Sequence, residues 1–236
     1  MSRLYKNPPL IEAIFEIRFP AQLSIECQRD KFYEKIRNGY PQIFVPRVMM
    51  GESPSLKSYE FKSLEGKKII RCSINRFSIH TNKYEGFAEF EEDCLKYAQL
   101  FTKLYNITSL KRTGLRYINH IPIVRIEGCI PIQKYLKFGY RLPAGLESNK
   151  FEFFDTTLVA KIGENKLRLL TGYLEVPSAA QREFILLDFD CYCEGELKTD
   201  KILDYLRKSH THTKKIFEGI ITDEYKIVMN TDLMGG

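Results

Sequence analysis

Residues 111–121 read Lys111-Arg112-Thr113-Gly114-Leu115-Arg116-Tyr117-Ile118-Asn119-His120-Ile121, the densest mix of apolar, basic and polar side chains in the chain. As a strand this stretch has two faces, because side chains alternate with period two. Arg112, Gly114, Arg116, Ile118 and His120 share one face; Thr113, Leu115, Tyr117, Asn119 and Ile121 share the other. Two guanidiniums with a glycine between them make a gap flanked by donors. Such a gap suits an anion or carboxylate, or ion pairs with acidic neighbours in the same sheet.

Working outward, the same period recurs. Residues 11–19 alternate, with Ile11, Ala13, Phe15, Ile17 and Phe19 on one side and Glu12, Ile14, Glu16 and Arg18 on the other. Pro20 closes that strand, and Ser24 is placed to cap a helix running to residue 38, stopped by Gly39. Residues 41–56 look irregular, with an extended piece at 43–49. Strands are expected at 58–63, 68–75 and 76–82, with Glu65-Gly66 as a hairpin turn. A helix follows at 88–105, and the central strand covers 109–123. After a connector at 127–149, holding a short helical piece at 132–138, strands are expected at 150–162, 166–174 and 183–194, the last stopped by Gly195. Thr199 or Asp200 caps a helix at 201–217, and a last helix covers 222–229.

Strands joined by short turns pair antiparallel, and each long helix must bury its apolar stripe on a sheet face. The expected fold class is α+β: a predominantly antiparallel sheet with helices packed on one face. Three strands and a helix occur at 58–105 and again at 150–217, so two pseudo-repeated β-β-β-α halves, 1–126 and 150–236, are expected within one domain of 236 residues.

The totals exclude several classes. Apolar content is 44% and charged content 28%, which places the chain among ordinary globular proteins rather than disordered ones. No apolar run approaches the roughly 20 residues of a membrane helix, and the N-terminus has no apolar signal core, so a cytoplasmic protein with no membrane partner is expected. The six cysteines (27, 72, 94, 129, 191, 193) then read as reduced thiols, mostly small buried hydrophobes. Cys191-x-Cys193 has no second pair, so zinc is not expected. His210-Thr211-His212 lies in a helix, where residues two apart diverge, and reads as a solvated face. There is no phosphate-binding glycine loop, no dinucleotide fingerprint and no nucleophile elbow. No cofactor is expected. The closing Gly235-Gly236 reads as a frayed end rather than a ubiquitin-like tail.

Tyr5-x-Asn7-Pro8-Pro9-Leu10-x-Glu12-Ala13-x-x-Glu16-Ile17-Arg18-Phe19, together with Arg112-x-Gly114-Leu115-Arg116-Tyr117-Ile118-Asn119, resembles a sporadically distributed family of uncharacterised prokaryotic proteins of about this length. The likeness covers nearly the whole chain, including Phe217-x-x-x-Ile221-Thr222. It implies a bacterial or archaeal cytoplasmic protein, distributed patchily as accessory or defence-linked genes are. It carries over no catalytic residue.

The best chemical constellation joins three strands. Glu16 stands on the first, with Glu12 and Arg18. Arg112, Arg116, Asn119 and His120 stand on the central one, and Asp188 and Asp190 on the third. One reading is an anion or substrate site, with a carboxylate as base and arginine as clamp. The other is cross-strand ion pairing. With no catalytic motif, the first expectation is a non-enzymatic interaction protein. Its partner would be another protein, such as the product of a neighbouring gene in a toxin–antitoxin or antiphage module. The second is a small-anion or ligand-binding protein, or an enzyme, using the Arg/Asp face. The third is a nucleic-acid-binding accessory protein using the basic helices at 29–37 and 201–215, in keeping with a net charge of +6. A homodimer is compatible with this reading, since an open sheet leaves edges to pair or cover, and the sequence does not decide it.

Overall fold

The computed structural model describes residues 5–47, 49, 57–137, 151–176 and 182–231. Among these residues nine strands form one open antiparallel sheet: β1 (Leu10–Arg18), β2 (Gln42–Phe44), β3 (Tyr59–Lys62), β4 (Lys68–Ser73), β5 (Arg76–Thr81), β6 (Ser109–Pro122), β7 (Asp155–Ile162), β8 (Asn165–Val176) and β9 (Arg182–Lys198). Their order across the sheet is β2-β3-β4-β5-β1-β6-β9-β8-β7. Among the described residues there are six α-helices: α1 (Leu23–Cys27), α2 (Arg29–Ile36), α3 (Phe87–Leu104), α4 (Ile132–Tyr135), α5 (Ile202–Ile220) and α6 (Asp223–Asn230). None is long and apolar enough to cross a membrane.

The central strand sits at the centre of the sheet. β6 pairs with β1 on one side and β9 on the other, and one of its faces is buried throughout at Leu110, Thr113, Leu115, Tyr117, Asn119 and Ile121. Two apolar cores lie on that side. The first joins Phe15, Ile17, Phe77 and Leu115 of the sheet to Phe32 of α2, Phe101 of α3 and Leu206 of α5. The second joins Ile121, Leu187 and Phe189 to Ile132, Ile221 and Met229. Helix α5 enters the first core with Ile202 and the second with Ile220, and so ties the two together.

Several boundaries differ from the sequence reading, each for a local reason. Ile11 is 39% exposed rather than buried, because the β1–β6 register shifts between Leu10 and Glu12 and turns it out of the alternation. The single helix expected at 24–38 is two, broken at Gln28, whose backbone leaves helical geometry at φ −131°, ψ 31°. The Tyr105 hydroxyl donates to the Gln28 carbonyl, and the Arg29 guanidinium donates to the Glu26 carbonyl, so both oxygens have partners across the break. Ser24 does not cap it; the position belongs to Gln22, with no side-chain bond. Gly195 does not stop β9. The strand continues to Lys198 through a register shift opposite Leu110 and Arg112, and Gly195 absorbs it at φ +117°, a conformation glycine adopts without strain. Thr222 does cap α6, its hydroxyl accepting from the Tyr225 amide.

The triplets β3-β4-β5 and β7-β8-β9 flank the β1–β6 pair, and each is followed by a long helix. Their strands differ in length, 4, 6 and 6 residues against 8, 12 and 17. The start of the strand expected at 150, most of the connector, the loop at 177–180 and Gly235-Gly236 lie outside the described residues.

All six cysteines are free. Cys72, Cys94 and Cys191 are buried as expected; Cys27 is exposed, and Cys129 and Cys193 are partly so.

Candidate functional site

On the sheet face opposite the two cores, period-two alternation places a row of charges across neighbouring strands. Arg18 lies opposite both Arg76 on β5 and Arg112 on β6; Glu16 lies opposite Ser78 and Gly114. Arg116 lies opposite Asp190 on β9, which in turn lies opposite Arg168 on β8. The result is a cleft of about 530 Å³, and all of its lining residues except Ser58 lie on strands β1, β4, β5, β6, β8 and β9.

The charges do not balance pair by pair. Glu16 is shared by Arg18 at 2.7 Å, Arg112 at 3.1 Å and Arg76 at 3.7 Å. Asp190 takes both remaining bonds of Arg112, at 2.8 and 3.1 Å. Asp188, 3% exposed, is gripped by Arg116 through two bonds of 2.7 and 2.6 Å, with Arg168 at 3.6 Å. Five guanidiniums thus share three carboxylates. The Asp188 bonds raise the pKa of Arg116 further, against the opposing effect of its burial. Tyr192 forms part of the cleft wall, its ring centroid 4.7 Å from the Arg112 guanidinium carbon.

Next to this network, His80 is buried between Glu12 and Arg71. Arginine only donates, so the 3.5 Å contact from Arg71 makes His80 Nε2 the acceptor, also for Ser78 at 3.0 Å, and places the ring proton on Nδ1 facing Glu12 at 2.8 Å. That bond holds the Glu12 carboxyl below its ordinary pKa, more strongly than burial raises it. The carboxylates here are engaged by guanidiniums or, for Glu12, by a ring N–H, so their oxygens are committed to partners within the sheet.

Gly114 makes the packing possible. A Cβ there would stand 2.7 Å from Arg112 Nη1 and 3.3 Å from its Cζ, because the guanidinium folds back across the glycine. Gly114→Ala is therefore expected to displace Arg112 from Glu16 and Asp190, costing about 1–2 kcal/mol. Chemical denaturation of the variant measures it; a loss under about 0.3 kcal/mol would show that Arg112 moves freely.

Of the sequence candidates, Glu16, Arg112, Arg116 and Asp190 line the cleft, and Asp188 lies beneath Arg116 on the same face. His120 shares the face but not the cleft; it packs on Phe184 at 5.4 Å, and burial lowers its pKa. Asn119 is on the opposite face, buried, donating to the Leu187 carbonyl at 3.1 Å. The sequence reading missed Arg71, Arg76, His80 and Arg168. Their strands were expected, but only the pairing of β4, β5 and β8 brings these residues to the same face.

Elsewhere, His210 is not a solvated side chain. Its ring stacks on Phe87 at 3.8 Å and 4°, and burial lowers its pKa to about 4. Among the described residues no group of three or more His, Cys, Asp or Glu is placed to hold a metal ion. Comparison of the chain with protein-family models and with curated proteins gave no match.

Proposed function

We propose that the protein is a binding protein whose open sheet face holds a multiply charged anion, such as a ligand carrying two or more phosphates. The observation that carries this is five guanidiniums sharing three carboxylates in a solvent-facing cleft. Arg76 on β5 and Arg168 on β8 are four inter-strand steps apart, about 19 Å. A single small anion touches only part of this span; a ligand with several charges bridges it. The tied carboxylates favour binding over proton-transfer catalysis. Three arginines of the helical segments have partners of their own: Arg29 over Tyr59, Arg37 with Glu34, Arg207 with Glu91. This favours the sheet face over the helices as the anion site. The two flanking triplets read as one β-β-β-α unit used twice, each lending arginine to the cleft: Arg71 and Arg76 from one, Arg168 from the other.

Arg76 and Arg168 make only long ion pairs, so replacing both by alanine is expected to leave stability within about 0.5 kcal/mol. The same double variant should weaken binding of inorganic tripolyphosphate about tenfold or more, since charge-assisted bonds are worth roughly 1.5–3 kcal/mol each. Unchanged affinity in a stable variant counts against the proposal.

One observation favours a second reading, a protein partner or second copy at a sheet edge. β7 closes the sheet with nearly all its residues exposed, including Val159 at 59% and Leu158 at 44%. Exposed apolar edges of this kind invite strand addition. In that reading the chain is an interaction component whose partner would be another protein, such as the product of a neighbouring gene.

A further inference from the structure

A second cavity, of about 120 Å³, lies on the helix side of the sheet, remote from the arginine face. Its walls are aromatic: Tyr5, Tyr84, Phe87, Tyr117, Phe189 and Phe217. The segment Pro8-Pro9-Leu10 closes one side, and α5 closes another. An apolar cavity of about 150 Å³ holds one benzene ring, so this one is the size of a single ring. Three polar features mark it as more than a packing gap. Thr213 is 2% exposed, yet its hydroxyl lacks a hydrogen-bond partner; the nearby Cys191 thiol interacts with it but not in hydrogen-bond geometry. Asn119, 4% exposed, also lines it, its amide donating to the Leu187 and Tyr117 carbonyls. Lys214 stands at the lining with no carboxylate partner among the described residues.

The neighbouring charges do not cancel Lys214. Glu218 also lines the cavity, but it accepts from the Tyr5 hydroxyl at 2.6 Å and lies 3.7 Å from Lys226. His210, stacked on Phe87 and hydrogen-bonded to the Tyr117 hydroxyl at 3.0 Å, is uncharged at neutral pH because burial depresses its pKa. The cavity therefore offers a ring-sized apolar body and one uncommitted cation.

We propose that this pocket binds an aromatic monocarboxylate, with its ring against Phe87 and Phe217 and its carboxylate at Lys214. Ring stacking and edge contacts favour an aromatic body over an aliphatic chain of the same volume. The uncompensated ammonium selects a carboxylate over an alcohol or an amine.

The test uses the full chain and three ring acids, benzoate, phenylacetate and 3-phenylpropionate, with benzyl alcohol and phenethylamine as neutral and cationic controls. Titration is followed by NMR at the ring protons of Phe87 and His210 and by calorimetry. At least one acid is expected to bind one-to-one, about tenfold or more tighter than either control, and to shift those ring signals. Lys214→Ala should bring the acid down to the level of benzyl alcohol. Thr213→Leu, which fills the cavity with an apolar side chain, should abolish binding while the protein still melts cooperatively. The proposal is overturned if none of the acids binds, if acid and controls bind equally, or if binding survives Lys214→Ala. It is also overturned if the shifts fall on the arginine face and disappear in Arg168→Ala.

Discussion

Phe101→Ala is expected to destabilise the protein by about 3–5 kcal/mol, the range for deleting a large buried aromatic side chain. Phe101 is fully buried and is the ring on which the first core converges. Its centroid lies 4.5 Å from Phe77 on β5, 5.2 Å from Phe32 on α2, 5.8 Å from Phe19 just past β1 and 4.9 Å from Tyr105. The alanine would leave a cavity bounded by two strands and a helix that cannot collapse together, so the transfer loss and the cavity cost add. Denaturant unfolding checks it: the midpoint should fall with the slope unchanged. A loss below about 1 kcal/mol would mean that the helices do not depend on this contact.

Arg116→Ala is expected to cost about 3 kcal/mol although Arg116 is 37% exposed. The reason lies beneath it. Asp188 is almost fully buried, and its two oxygens are matched by the fork of Arg116 at 2.7 and 2.6 Å. Removing the arginine leaves a carboxylate out of water with only Arg168 nearby, at 3.6 Å. Arg116→Lys should recover little, since an ammonium cannot make the paired bonds. Adding Asp188→Asn to Arg116→Ala removes the stranded charge and should restore part of the loss, a coupling read directly from a double-mutant cycle. If the two changes simply add, the pair is not coupled as the distances indicate.

The β-rich antiparallel fold was legible because alternation was strong where it mattered. The two faces of β6, the split of Glu12, Glu16 and Arg18 from Phe15 and Ile17, and the opposition of Asp188 and Asp190 to Leu187 and Phe189 all appear in the structure as read from residue order. Period two is a local property and survives in any sheet. What alternation does not reveal is which strand lies next to which. The insertion of β1 between β5 and β6 brings Arg76 to Glu16, and the pairing of β8 with β9 brings Arg168 to Asp188. Both depend on contacts distant in sequence, so half of the arginine cluster was invisible. Irregularities were missed for the opposite reason. The bulges near Ile11 and Gly195 are shifts of register against β6, and the Gln28 carbonyl at the helix break is met by Tyr105, all partners distant in sequence. His210 looked like a surface residue on a polar stretch of helix; only the approach of Phe87 from α3 buries it.

The most direct measurement is a calorimetric titration of the protein with inorganic tripolyphosphate and, separately, orthophosphate, each at low and at high salt. An arginine cleft of this charge and span should bind tripolyphosphate one-to-one, at least tenfold tighter than orthophosphate, with affinity falling as salt rises because the cleft is open to solvent. Equal affinity for the two anions, or no binding of either, would contradict the anion-binding assignment and leave the charges on this face as ion pairs of the sheet alone.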